Sequence, residues 1–521
     1  MRRCPAAVAH RVAFLVARDL PLWLAMPDDI LYRDTRGKPA RDALPLEGQP
    51  VPRSAVDVAF ARAGIRPVAD AALGSARAMA SSERPSSNAS FYLGVRAKFA
   101  VALCASGAWF GSMVLIAMPW IEQLSRLIGS LPAWLAVGGI ALVPGFMNAF
   151  LIASLLLDRR PPRLQPSRYP SVSILIPACE GEGVIADTLR SIANQDYPGA
   201  FEVFVIDRGS RDRTAAIVDG FDHDWLRLVR LTADAGPSAS LNRGLAETRF
   251  DLILTLDQQS FLYRDALRNI VERYMSDPPN TRAVAGTMLV RNSRKNWVTK
   301  AQEWDYFHGI AAVKRVQSLY QGTLVAQGSF SLYDRAALRE LNGWPECTGR
   351  DIVLSWAMLR RGWRIGHAED ACCFTNAPDT LRSFADQRKE WARGMVEAFR
   401  AVPGILIEPR LSTFFVWWNL LFPWLDLAYT VLFIPGILLA VAGIWWIAGP
   451  WTLAWLPMSL GINYLMYRAG SQMFAANGLR VRKNLSGFLT YALVYSLVLQ
   501  PACVAGYVSE VFRPRKRAGT R

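Results

Sequence analysis

Three aspartates stand next to short apolar runs in the middle of this chain. Asp207 follows Phe201–Ile206, Asp257 follows Asp251–Leu256, and Asp351 precedes Ile352-Val353-Leu354-Ser355-Trp356. A carboxylate so placed can take a proton from a hydroxyl, hold a divalent cation or contact a polar ligand. Glu180, Arg350, Gly328, Gln387 and Trp391 are the further candidates, in Ala178-Cys179-Glu180, Gly349-Arg350-Asp351, Gln327-Gly328-Ser329 and Gln387-Arg388-Lys389-Glu390-Trp391. Each position has a plainer use as well. Asp207 can cap a turn or helix, Asp351 can complement a helix dipole, and Gly328 can make a tight turn.

The elements that must carry these residues read as strand, helix, strand. Val172–Ile176 is apolar and ends at Pro177; Val184, Ile185, Leu189 and Ile192 follow at helical spacing; Phe201–Ile206 is apolar again. Ser210, Arg211 and Asp212 lead into Thr214–Val218, so this turn opens a second helix. Polar residues at the ends of apolar strands are the pattern of a parallel α/β sheet, in which ligands bind beyond the C-terminal strand ends.

On either side the chain turns apolar. Phe99–Trp120 and Pro132–Leu157 are each long enough for a bilayer core of about 30 Å at 1.5 Å per residue. They read as a hairpin, region 99–157, ended by the basic run Arg159-Arg160-Pro161-Pro162-Arg163, which belongs on the cytoplasmic side. Beyond residue 410, Thr413–Leu427 with its tryptophans reads as an interfacial segment, and Ala428–Ile447, Trp451–Tyr467 and Leu485–Val511 as three spans, together region 410–511. That count does not reconcile with both basic stretches, 468–484 and the tail 512–521, facing inward: either 413–427 is a fourth span or re-entrant, or one basic loop violates the rule, and the sequence leaves the parity open. Residues 1–98 form an N-terminal cytosolic region of unassigned role, with an Ala- and Ser-rich linker at 75–90. The soluble core is 165–400.

A net charge of +16 suits nucleic acid or a cytoplasmic membrane face. The basic residues flank apolar segments, so no nucleic-acid partner is expected and membrane lipid is. The seven cysteines form no C-x-x-C pair and the four histidines do not pair, which argues against zinc and for reduced, packed thiols.

From about residue 168 onward the chain resembles bacterial processive membrane family-2 glycosyltransferases, the group that holds the poly-β-1,6-N-acetylglucosamine, hyaluronan and cellulose synthases. The likeness rests on Val172–Pro177, Gly209–Thr214, Lys314–Tyr320, Leu354-Ser355-Trp356 and the Gln387…Trp391 frame of a Gln-x-x-Arg-Trp signature. It implies an α/β GT-A domain, Rossmann-like and nucleotide-sugar-binding, held in the cytosol between transmembrane helices of a multi-pass bacterial inner-membrane protein. It implies a UDP-sugar donor such as UDP-N-acetylglucosamine, a glycan acceptor, an inverting displacement and a small membrane partner subunit. By the same resemblance Asp351 is the catalytic base. Asp207, Asp257 and nearby Glu180 bind the nucleotide sugar, and Arg350 joins them through the exchange described below. Gln387, Trp391 and Gly328 face the acceptor, and Asp257 holds Mg²⁺ or Mn²⁺.

The chain departs from the family pattern at functional letters. Arg208 replaces an acid, Pro237 a lysine, Gln259 the metal-binding acid of Asp-x-Asp, Arg350 the glutamate before the base, and Glu390 the motif arginine. A neutral Gln259 is a weak ligand, leaving Asp257 to hold a metal jointly with phosphates. The opposite reversals at 350 and 390 lead to the expectation of an exchanged ion pair, with Arg350 serving the pyrophosphate. The alternative to an active transferase is a catalytically degenerate homologue that acts as a scaffold in envelope polysaccharide assembly.

Overall fold

The computed structural model of the chain describes residues 32–33, 93–158, 163, 165–232, 236–476, 480–481 and 483–512. Nearly all of the expected N-terminal region, its 75–90 linker and the tail from 513 lie outside these residues, as do positions 159–162 of the basic run.

The first described helices are α1 (Val95–Ile128) and α2 (Ser130–Leu156). Between them only Gly129 is non-helical, at φ +88°, a conformation a side chain disfavours. The hairpin expected from the sequence is therefore longer and tighter than its apolar runs suggested.

The middle of the chain folds as one eight-stranded sheet. Its strands are β1 (Val172–Ala178), β2 (Phe201–Asp207), β3 (Leu226–Arg230), β4 (Leu252–Leu256), β5 (Phe261–Leu262), β6 (Thr281–Val290), β7 (Phe330–Asp334) and β8 (Arg364–Thr375). They lie in the order β3-β2-β1-β4-β7-β6-β8-β5. The half β3-β2-β1-β4 is parallel, as the sequence pattern predicts. Past β4 the sheet is mixed: β7 runs antiparallel to both β4 and β6, and β8 is parallel to β6. A parallel half joined to a mixed half is the GT-A architecture. Pro177 is tolerated in central β1 because the ladder to β4 ends at Leu175, two residues earlier.

The helices expected from apolar spacing form as α3 (Ile185–Ala193) and α4 (Thr214–Asp219). Ile185, Leu189 and Ile192 of α3 are fully buried against the face of β1 that carries Ile174 and Ile176. The opposite face carries Leu175, Phe204 and Tyr333, and its core runs on into Phe150 of α2 and into Phe415 and Trp418. The Phe150 ring lies 5.6 Å from that of Trp418 and 5.7 Å from that of Tyr320, whose hydroxyl donates to Ser154 Oγ at 3.0 Å. An ion pair between Asp158 and Arg315 closes the same junction. The apolar hairpin and the sheet thus share one core, and burial of each of these rings contributes about 2–3 kcal/mol.

Helix α5 (Trp297–His308) continues into a π-helical turn, Gly309–Lys314. Helices α6 (Arg350–Arg360) and α7 (Leu381–Ala401) flank the strand ends that carry the candidate residues. The C-terminal part comprises α8 (Thr413–Val441), α9 (Pro450–Ala476) and α10 (Leu485–Val511). The break expected after Leu427 does not exist: 413–441 is one continuous helix that carries Pro423 and Pro435 within it, so the tryptophan-rich part belongs to a helix long and apolar enough to cross a membrane. Among the described residues α1, α2, α8 and α10 are long and apolar enough to cross a membrane. Helix α9, also expected as a span, is not among the four; Ser459, Asn463 and Tyr464 dilute its apolar stretch.

Candidate active site

The ends of β1 and β2 are cross-tied by polar side chains. Glu180 adopts φ +49°, unusual for a residue with a side chain. Its N–H donates to Ser210 Oγ at 3.0 Å and its carboxylate accepts from the Arg211 N–H at 3.0 Å. Asp207 is buried, and its Oδ1 accepts from the Ser210 N–H at 3.2 Å and from the Ser210 hydroxyl. The capping use of Asp207 is therefore present, and its second carboxylate oxygen is left over. Gln258 joins β4 to β1: Oε1 accepts from the Cys179 N–H at 2.8 Å and Nε2 donates to the Cys179 carbonyl at 2.9 Å.

Asp257 and Asp351 meet on either side of the Gly328-Ser329 backbone. The Asp257 N–H donates to the Ser329 carbonyl at 3.3 Å, and Asp351 Oδ2 accepts from the Gly328 N–H at 2.9 Å. Four residues on, Ser355 Oγ accepts from the Ala326 N–H at 2.9 Å, so one face of α6 grips this loop at successive turns. Burial pushes both carboxyls above the ordinary aspartate range. The Ser329 hydroxyl opposes the rise at Asp257; Arg350, the Gly328 N–H and Lys314 oppose it at Asp351. Burial also pushes Lys314 down to about 7, against the pull of Asp351. Asp351 keeps 26% of its side chain open, room for a hydroxyl to reach it.

The expected ion pair between Arg350 and Glu390 is not formed. Arg350 Nε lies 3.7 Å from Asp351 Oδ1, whereas Glu390 is exposed on the far side of α7 and pairs with no cation among the described residues. Arg350 thus pairs with its own neighbour, and Glu390 faces outward. The carboxylate that faces the start of α6 is Glu397, which accepts from the Gly349 N–H at 2.7 Å.

Gly349 brings α6 and α7 into backbone contact. A Cβ on Gly349 would lie 2.3 Å from the Gly394 carbonyl oxygen, and one on Gly394 would lie 2.8 Å from Gly349 Cα. Gly349→Ala is expected to destabilise the fold by about 1–3 kcal/mol through overpacking. Thermal unfolding of the solubilised protein checks this, and an unchanged midpoint would remove the contact from the account.

Gln387 lies beside Tyr306, which lies in turn within electrostatic reach of Asp257. Trp391, on the next turn of α7, is 50% exposed. Buried polar atoms almost always find partners. Here Gln327 Oε1, Arg350 Nε, Asp351 Oδ1 and Gln387 Oε1 are buried without a hydrogen bond. Unsatisfied groups beside the Asp257 and Asp351 carboxylates leave hydrogen-bonding capacity that a polar ligand can take up.

No group of three or more His, Cys, Asp or Glu side chains suited to a metal ion occurs among the described residues. Gln259, at the position where a second acid would stand, is exposed. One carboxylate with a neutral neighbour does not fit a preformed divalent-metal centre.

Residues 173–341 match the family described as Glycosyl transferase family 2. The segment is a family-2 glycosyltransferase domain. The match takes in β1 to β7, with Glu180, Asp207, Asp257 and Gly328, and stops before Asp351. An N-acetylglucosaminyltransferase of Rhizobium meliloti is 31% identical over 248 residues, 45% of this chain and 58% of that protein. A poly-β-1,6-N-acetyl-D-glucosamine synthase of Staphylococcus epidermidis is 30% identical over 227 residues, 43% and 54% of the two chains. The chain thus spans little more than half the length of these relatives. Among solved structures, the mannosyltransferase PcManGT of Pyrobaculum calidifontis, in complex with GDP-Man and Mn²⁺, aligns with 80% of this chain and 99% of its own at a TM-score of 0.45 and 19% identity.

The family-2 domain holds several residues near its cleft to which no role was given from the sequence. Gln258 is a neutral side chain beside Gln259, and nothing local in its type announces the cross-link to Cys179. Lys314 lies in a matched stretch but on a π-helical turn, which shifts side-chain directions away from helical spacing. Arg388, on α7 beyond the matched segment, shares one helix face with Phe384 and Trp391 by its spacing, a signal the motif letter at 390 does not carry.

Proposed function

We propose that the chain is a membrane glycosyltransferase that moves a sugar from a UDP-sugar, UDP-N-acetylglucosamine first among them, to a growing envelope glycan. The observation that carries this reading is the cleft where Asp351, Arg350, Gln327 and Gln387 all leave buried polar atoms unsatisfied. It lies beyond the strand ends of a family-2 domain, where nucleotide ligands sit in such sheets. The names of the two curated relatives support N-acetylglucosamine as the sugar.

In this reading Asp207 and Glu180 order the loop that receives the nucleotide, and Asp207 turns its spare oxygen to it. Asp351 takes the proton of the acceptor hydroxyl while that oxygen attacks the anomeric carbon. UDP departs from the opposite face, so the configuration inverts. Arg350 and Lys314 balance the charge that gathers on the leaving diphosphate. Gln387, Trp391 and Gly328 face the acceptor. Four helices long and apolar enough to cross a membrane support a multi-pass component of the bacterial inner membrane, and this reading puts the sheet on the cytosolic side next to the UDP-sugar supply.

Membranes containing the protein, incubated with UDP-N-acetylglucosamine with and without Mn²⁺, are expected to release UDP. Absence of UDP release with every common UDP-sugar, together with absence of nucleotide binding by calorimetry, would replace this reading with the scaffold role.

A further inference from the structure

The motif on α7 has lost its arginine at 390, yet it has a buried cation two residues earlier. Arg388 is only 5% exposed. Its guanidinium carbon stands 4.1 Å from the centre of the Trp391 ring and 5.1 Å from that of Phe384. Nη2 lies 2.8 Å from Asp305 Oδ2, on α5. The same carboxylate oxygen accepts from the Tyr495 hydroxyl of α10 at 2.9 Å. A buried guanidinium between two rings and a carboxylate is a built position, since an uncompensated buried charge is strongly unfavourable. The carboxylate holds the cation charged in spite of the burial that works against it.

The consequence falls on Trp391. A half-exposed indole on a helix surface has several rotamers available, and a cation stacked on its face selects one. Resting on the glycosyltransferase reading above, we propose that Arg388 is the positioning residue that fixes Trp391 for the acceptor glycan. It makes the cation at 390 dispensable in this chain. Arg388 touches neither nucleotide nor reacting atoms in this scheme; it acts through the indole. Asp305, which the guanidinium and Tyr495 share, ties the position of Trp391 to the last apolar helix.

The test uses the full chain in detergent, with calorimetric binding of UDP and of a short β-1,6-linked N-acetylglucosamine oligosaccharide as two separate readouts. Arg388→Gln is expected to weaken oligosaccharide binding about tenfold, the scale of a stacked cation, while UDP affinity stays within about twofold. Arg388→Lys keeps the charge but not the planar stack, and is expected to fall between wild type and Arg388→Gln. Glu390→Arg is expected to leave both affinities unchanged. Equal loss of UDP and oligosaccharide binding in Arg388→Gln would reduce the residue to a general structural role and overturn the proposal. So would unchanged oligosaccharide binding, or a gain from Glu390→Arg alone. A wild-type protein that binds UDP but no oligosaccharide overturns this proposal and leaves the transferase reading standing; binding of neither overturns both.

Discussion

Asp351→Asn is expected to cut UDP release by about a hundred- to ten-thousandfold, the range for loss of a general base, with UDP affinity kept. The amide keeps the shape of the side chain and still accepts from the Gly328 N–H, so the loop at 326–328 stays in place. What disappears is the ability to receive a proton. The pH profile of the wild-type protein gives a second check on the same residue. A base works only when ionised, and burial raises the Asp351 carboxyl above its ordinary 3.8. Activity should therefore fall as pH drops through a value higher than that of a free aspartate. Arg350 is the largest influence that opposes the rise. Arg350→Ala should move the acidic limb further toward neutral pH. A limb that stays put in Arg350→Ala, or an Asp351→Asn protein with near-normal turnover, would take the base role away from Asp351.

Gly328→Ala should lower turnover by about a hundredfold, the scale of a displacement near 1 Å at a reacting group. A methyl group at this position would lie 2.9 Å from Asp351 Oδ2 and 3.0 Å from Oδ1. Those atoms belong to the carboxylate itself, and α6 is held by Ser355 one turn later, so the clash falls on the base before it falls on the fold. The φ of Gly328 is not in the left-handed region, so the substitution brings no backbone strain with it. Near-normal thermal stability with a collapsed turnover rate is the expected result. Full activity in Gly328→Ala would show that the carboxylate has room to move, and the close approach would lose its meaning.

Three strands of the parallel half were legible in the sequence because they are buried and end at polar residues, whereas the edge strand β3, with no buried position, carries no such run. Val172–Ala178, Phe201–Asp207 and Leu252–Leu256 all lie where apolar runs predict them. The mixed half was not, since β6 and β8 pair across some eighty residues and nothing local in either strand announces that partner. Among the site residues, Asp257, Gly328 and Asp351 were named from short motifs and are brought together. The supposed exchange of charge between 350 and 390 failed for a geometric reason. Residue 390 lies one position before Trp391 on a helix whose buried face carries 384, 388, 392 and 395, so its side chain turns to solvent. Reading the five letters as a linear string hid that rotation.

Helix α10 lies along α7 over much of its length. The Tyr495 ring packs on that of Phe384 near one end, Gly506 lets the backbone close on Lys389 and Ala392, and Glu510 receives Arg393 and Arg400 at the other. The outer anchors are separated by fifteen residues, roughly 22 Å of helix. In the proposed membrane enzyme, a seam of that length couples the level at which α10 sits among the lipids to the height of Trp391. Lipid thickness then becomes a variable of where the glycan is met, transmitted through side chains that never touch the sugar.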